Sequence, residues 1–126
     1  MQAVASGVLI IALAAALPSG PQPARLHFEL SRSAPEAFAT VDSVAEIRLW
    51  FTEVPAERTT AIRVVDQASV QAPAGDVVQD VRNARVVSMA LRRPLPPGRY
   101  TVMWEARGPD GHLVHDSFPF VVASRR

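Results

Sequence analysis

Apolar and polar residues alternate along most of the chain in short runs, a pattern typical of strands that bury one face. In residues 45–51, AEIRLWF, the alternation places Ile47, Leu49 and Phe51 on one face and Glu46, Arg48 and Trp50 on the other. The same kind of pattern recurs in residues 26–31, 60–66, 86–91, 100–107 and 113–122. Proline and glycine separate the runs, so the sequence predicts antiparallel sheets joined by turns.

The middle of the chain is less regular. Residues 67–86 are mostly polar and are interrupted by Pro73 and Gly75, which predicts a long loop with room for one strand. About seven strands are therefore expected. An all-β fold follows, either an immunoglobulin-like β-sandwich or a small Greek-key barrel.

The first two dozen residues have a different character. Nothing charged precedes Arg25, and residues 4–17 are almost wholly apolar. Such a run is shorter than the ~20 residues of a membrane span but suits the apolar region of a secretory signal, although the basic start of such signals is missing. We therefore expect residues 1–24 to be a signal peptide or a weak N-terminal anchor, residues 25–126 to form one domain, and the protein to be periplasmic or otherwise extracytoplasmic.

The composition limits which partners and which metal ligands the chain can have. The formal net charge is +1, from thirteen basic residues, all Arg, and twelve acidic ones that are interspersed among them. A nucleic-acid-binding protein needs a clustered basic face, so no nucleic-acid partner is expected. Cysteine is absent, which excludes disulfides and thiolate metal sites and leaves oxygen and nitrogen ligands. We expect a monomer.

One short stretch concentrates the candidate ligands. Residues 108–116, GPDGHLVHD, contain a turn sequence followed by two histidines. Asp110 and His112 have the same strand parity and can converge, whereas His115 falls on the opposite face. A carboxylate and an imidazole form a pair that suits Cu(II), Ni(II) or Zn(II). The residues alone favour a solvated turn over a metal site, because a third ligand must come from a distant residue, and His27 is the only other histidine.

Several segments together resemble the CopC-like family of periplasmic copper-binding proteins. In those proteins a histidine near the mature N-terminus is followed by a leucine and a Ser-x-Pro, and here His27, Leu30 and residues 33–35 have that spacing. Residues 47–53, 94–112 and 117–122 also resemble the family. The resemblance implies a Cu(II) site in which His27, Asp110 and His112 are the ligands.

The chain departs from the family pattern at several positions. Signal peptidase prefers a small residue before its cleavage site, and Leu26 precedes His27, so His27 is not expected to be the mature N-terminus. Asp116 stands where members tend to have glycine, and either a bulge or a role as acceptor for an imidazole N–H would explain it. Some members also hold Cu(I) in a methionine cluster. Met89 and Met103 lie on separate predicted strands, so only Cu(II) is expected.

Three functions are compatible with these residues. The resemblance favours an exported, non-enzymatic Cu(II)-binding protein for copper resistance, buffering or delivery, with a CopD-like membrane copper transporter as a partner. The alternative is an immunoglobulin-like interaction module whose metal binding is weak or lost and which docks on such a transporter. A copper oxidase is the third, and it requires His27 to be the mature N-terminus.

Overall fold

The computed structural model describes residues 27–124, and within that range the chain forms two four-stranded sheets packed face to face. The eight strands are β1 Leu30–Ala34, β2 Thr40–Val41, β3 Glu46–Phe51, β4 Ala61–Asp66, β5 Ala74–Gln79, β6 Val86–Leu91, β7 Gly98–Arg107 and β8 Leu113–Val122. One sheet has the order β1-β3-β6-β5 and the other has the order β2-β8-β7-β4. The all-β sandwich expected from the sequence is thus confirmed.

Alternating side chains from both sheets build the core. On β3 the predicted inward residues Ile47, Leu49 and Phe51 are all buried, and Ile62 and Val64 on β4 are buried as well. On β7 every second residue from Tyr100 to Ala106 is buried, and on β8 the buried side chains belong to Phe118, Phe120 and Val122. Burial of alternate apolar side chains is the main favourable contribution to folding of such a sandwich.

The structure differs from the predicted strands in two places. The first strand begins at Leu30 instead of residue 26, and its pairing with β3 shifts between Leu30 and Arg32. The connection between β1 and β3, for which no strand was predicted, includes the two-residue β2, which pairs in parallel with the end of β8. The pairing of β2 with β8 joins segments far apart in sequence, which local alternation does not report. The polar middle of the chain contributes β5, paired to the neighbouring β6, in the region where the sequence left room for one strand.

The expected signal peptide or anchor, residues 1–24, lies outside the described residues. Between residues 27 and 124 no helix is long and apolar enough to cross a membrane.

Three aromatic rings connect the two sheets at one end of the sandwich. Phe28 stacks on Phe51 of β3, with the ring centroids 4.8 Å apart, and Phe51 meets Trp104 of β7 edge to face at 5.2 Å. Such pairs add about 0.5–1.5 kcal/mol beyond the area that they bury. This aromatic group holds the segment before β1 against the end of β7, which is where the connection to β8 begins.

Candidate metal centre

The connection between β7 and β8, residues 108–112, is a tight turn held by its own backbone. The amide of Gly111 donates to the carbonyl of Gly108 at 3.0 Å, and the amide of Gly108 donates to the carbonyl of His112 at 3.1 Å. Gly111 has a φ of 84°, a left-handed conformation that glycine adopts without strain. Arg107 adds a hydrogen bond from Nη1 to the carbonyl of Gly111 at 2.7 Å. The turn is therefore a fixed platform for the side chains that it carries.

Asp110 and His112 are in direct contact on this platform. One carboxylate oxygen of Asp110 accepts the backbone amide of His112 at 3.0 Å, and the other lies 2.7 Å from Nδ1 of the imidazole. The hydrogen bond to the carboxylate raises the pKa of His112, and the same bond holds the pKa of Asp110 below its usual value. Both side chains are open to solvent, at 83% exposed for His112 and 66% for Asp110. An ion can therefore reach them.

The contact determines which imidazole nitrogen is available. When neutral His112 donates its Nδ1–H to Asp110, the lone pair resides on Nε2, which is free to bind a metal ion. Asp110 can orient that imidazole, or it can turn to supply an oxygen ligand of its own. Imidazole nitrogen and carboxylate oxygen suit Cu(II), so the chemistry of these two residues fits that ion.

The segment that carries His27 reaches the same end of the sandwich. Thr52 Oγ1 donates to the carbonyl of His27 at 2.9 Å and accepts the amide of Glu29 at 3.0 Å. Phe28, between them, is buried and packs so closely on Gly108 that a β-carbon there would lie 2.9 Å from the β-carbon of Phe28. The residue next to His27 thus touches the first residue of the turn.

The structure brings two of the three predicted ligands together. Asp110 and His112 are in contact, while His27 is exposed at the first described position. Across residues 27–124, no group of three or more His, Asp or Glu side chains is close enough to hold a metal ion. Completing a three-ligand site therefore requires the imidazole of His27 to move toward the turn beside which its backbone is anchored.

The other histidine and its acidic neighbour are placed differently. His115 pairs across the strands with Glu105, and both line a shallow surface depression together with Met103. Asp116 is exposed and accepts the amide of Ser117 at 2.7 Å. The register between β7 and β8 runs without a shift, so the bulge considered for Asp116 is not present.

The two methionines of the described chain lie on different sheets. Met89, on β6, is buried in the core, whereas Met103, on β7, is partly exposed on the outer face of the other sheet. This separation agrees with the expectation that they form no cluster.

Sequence reasoning did not identify the supports of the site. Thr52, Phe28 and Gly108 contact residues that are at least 23 positions away in the chain. The short spacing of Asp110 and His112 is visible in the sequence, but no local pattern reports a hydroxyl that bridges two backbone groups on another segment.

Comparisons with known proteins agree with this architecture. A family model described as the CopC domain matches residues 30–123. The structure is similar to that of PcoC, a methionine-rich copper resistance protein from Escherichia coli, with 26% identity, a TM-score of 0.68, and coverage of 76% of this chain and 98% of PcoC. The selenomethionine form of PcoC gives 24% identity and a TM-score of 0.69, covering 75% and 98% of the two chains.

A third solved structure has the same fold. CopC from Methylosinus trichosporium OB3b matches with a TM-score of 0.72 and 21% identity, covering 79% of this chain and 97% of that one. A comparison with curated proteins gave no match.

Proposed function

The chain belongs to the CopC family, and from this premise we propose that it is an exported Cu(II)-binding protein that serves copper resistance, by buffering the ion or by delivering it. CopC proteins bind copper and act in copper resistance, and they are not enzymes. The family assignment thus agrees with the expectation that this chain is not an enzyme, and it disfavours the oxidase hypothesis.

The observation that carries the proposal is the pairing of Asp110 with His112. Their 2.7 Å contact leaves Nε2 of an exposed imidazole available, beside a carboxylate, on a turn that the backbone holds rigid. His27 is the third proposed ligand, because its segment is anchored against the same turn through Phe28 and Gly108. This donor set favours Cu(II), since Cu(II) prefers imidazole and carboxylate ligands to the thioethers that suit Cu(I).

A titration of the purified chain with Cu(II) tests the proposal. We expect one tight site in the wild type and a loss of about 100-fold or more in affinity for His112→Ala, larger than the ~10–100-fold that loss of an outer-sphere partner costs. His27→Ala should also weaken binding. His115→Ala is the matched control, because His115 is exposed on β8 opposite Glu105 and is not one of the proposed ligands. It should leave the affinity unchanged. Unchanged stoichiometry and affinity in both His112→Ala and His27→Ala would eliminate the site.

One observation favours a second function. Among the described residues the third proposed ligand, His27, is not gathered with Asp110 and His112, as expected for a site of weak affinity. The chain would then be an immunoglobulin-like interaction module that docks on a CopD-like membrane copper transporter. Cu(II) affinity no better than that of free histidine, together with binding to such a transporter, would favour this function over the first.

The compartment and the ligand count depend on the mature N-terminus. We propose a periplasmic or extracytoplasmic monomer that has lost residues 1–24. Arg25 and Leu26 then precede His27, so the backbone nitrogen of His27 lies in a peptide bond and is not a free amine. Mass spectrometry of the protein recovered from the exported fraction measures this directly. A mature chain that starts at His27 would instead add the terminal amine to the ligand set.

A further inference from the structure

The hydroxyl of Thr52 occupies an unusual place beside the first strand. The ladder between β1 and β3 pairs Leu30 with Phe51 as its last position. One residue further, the amide of Thr52 donates to the carbonyl of Glu29 at 2.9 Å, and the hydroxyl of Thr52 bonds two more backbone groups of the same segment. It donates to the carbonyl of His27 and accepts the amide of Glu29.

These three hydrogen bonds act on either side of Phe28. A single oxygen atom that bridges the carbonyl of one residue and the amide two positions later restricts the backbone of the residue between them. Phe28 is thereby directed into the core, where it stacks on Phe51 and packs on Gly108. The backbone of His27 is fixed at its carbonyl, next to the turn that carries Asp110 and His112.

We propose that Thr52 is a positioning residue for the copper site, which holds His27 ready to complete the ligand set of Asp110 and His112; this inference rests on the proposed function. A ligand on a mobile chain end loses its conformational freedom when the ion binds, and this loss weakens the affinity. A chain segment that is already ordered avoids most of that loss. The Thr52 hydroxyl supplies the order at a position where β1 and β3 no longer pair.

The role requires the hydroxyl and not merely the shape of the side chain. Thr52→Val keeps the volume but removes the bridge, while Thr52→Ser keeps the bridge. We expect Thr52→Val to weaken Cu(II) binding about 10-fold, at the lower end of the range for partners that orient a ligand. Thr52→Ser should stay within about 3-fold of the wild type, because its hydroxyl can make the same two hydrogen bonds. Thr101→Val, a half-buried threonine on β7, is the matched control and should not change the affinity.

A double-mutant cycle separates positioning from a general effect on the fold. If Thr52 acts through His27, then Thr52→Val has no further effect on Cu(II) affinity in a His27→Ala background. An equal loss in both backgrounds would overturn the inference. Hydrogen exchange tests the same role in the copper-free protein, because the Glu29 amide donates to the Thr52 hydroxyl. Exchange of this amide should accelerate in Thr52→Val and remain slow in Thr52→Ser.

The outcomes also distinguish this inference from the proposed function. If His112→Ala keeps full Cu(II) affinity, the proposed function fails and Thr52 has no copper site to position. If His112→Ala and His27→Ala lose affinity while Thr52→Val does not, the copper site stands and only the role of Thr52 is overturned.

Discussion

The two halves of the candidate site are held in place by different means. The turn that carries Asp110 and His112 is organised within five residues, by its own backbone hydrogen bonds and by the contact between the two side chains. Within residues 27–124 the segment that carries His27 has no such local hydrogen bonds, and Thr52, Phe51 and Gly108 anchor it from other parts of the chain. The first half needs only the hairpin, whereas the second exists only when both sheets are packed.

Because the two halves are held in place differently, a single substitution can disturb one half of the site and leave the other intact. A substitution in the aromatic contact should release the His27 segment and leave the turn intact. A substitution in the Asp110–His112 pair should alter the turn and leave the fold unchanged.

Phe28→Ala should have the largest effect. Phe28 is 8% exposed and joins the His27 segment to Phe51, so its truncation leaves a cavity and removes a stacking partner. We expect a loss of about 3–5 kcal/mol in the free energy of unfolding, measured by urea denaturation. The matched control is Phe38→Ala, because Phe38 is 83% exposed, and its effect should stay within about 0.5 kcal/mol. Equal losses in the two variants would mean that Phe28 does not anchor the segment.

Gly108→Ala should have an intermediate effect. The added β-carbon would meet the side chain of Phe28 at 2.9 and 3.1 Å and Oδ1 of Asp110 at 3.3 Å, so the segment and the turn must separate. We expect about 1–3 kcal/mol of destabilisation, as for other overpacked sites, together with weaker Cu(II) binding. Gly75→Ala is the control, since its β-carbon would find an ordinary contact of 3.7 Å. A Gly108→Ala variant with native stability and native Cu(II) affinity would contradict the close approach of the two halves.

Asp110→Asn should have the smallest effect on stability and a clear effect on titration. The carboxylate raises the pKa of His112, so its removal should lower that pKa, which NMR of the imidazole in the metal-free protein can measure. Because the folded pKa of His112 is raised, the contribution of the pair to stability is complete below the unfolded pKa and disappears as the pH rises through the folded one. The pKa of Asp110 is lowered, so its contribution disappears as the pH falls through that value.

Both groups are exposed, and the stability change in Asp110→Asn should therefore be small at any pH. A His112 titration that is identical in wild type and Asp110→Asn would show that the contact does not persist in solution.

The sequence predicts the local features of this molecule well. Alternation identified the buried faces of β3, β4 and β7, because strand parity follows directly from the chain. The spacing of Asp110 and His112 also indicated a convergent pair, although the two residues meet within the turn and not on a strand. The parallel pairing of Thr40 with Val121 and the bridge made by Thr52 were not predictable, since each depends on a partner brought near by the whole fold.

Parity also failed at particular residues. By strand parity His112 would share the inward face of Phe118 and Phe120, but β8 begins only at Leu113, and His112 belongs to the turn and is exposed. Asp116 has inward parity and is nevertheless exposed.

The central claim is that an imidazole from each of the two distant segments binds the same copper ion. Pulsed electron paramagnetic resonance of the Cu(II)-loaded chain counts the coordinated imidazoles directly. We predict two in the wild type and one in each of the variants His27→Ala and His112→Ala, with His115→Ala unchanged at two. A single imidazole in the wild type, retained in full when His27 is replaced, would contradict the claim.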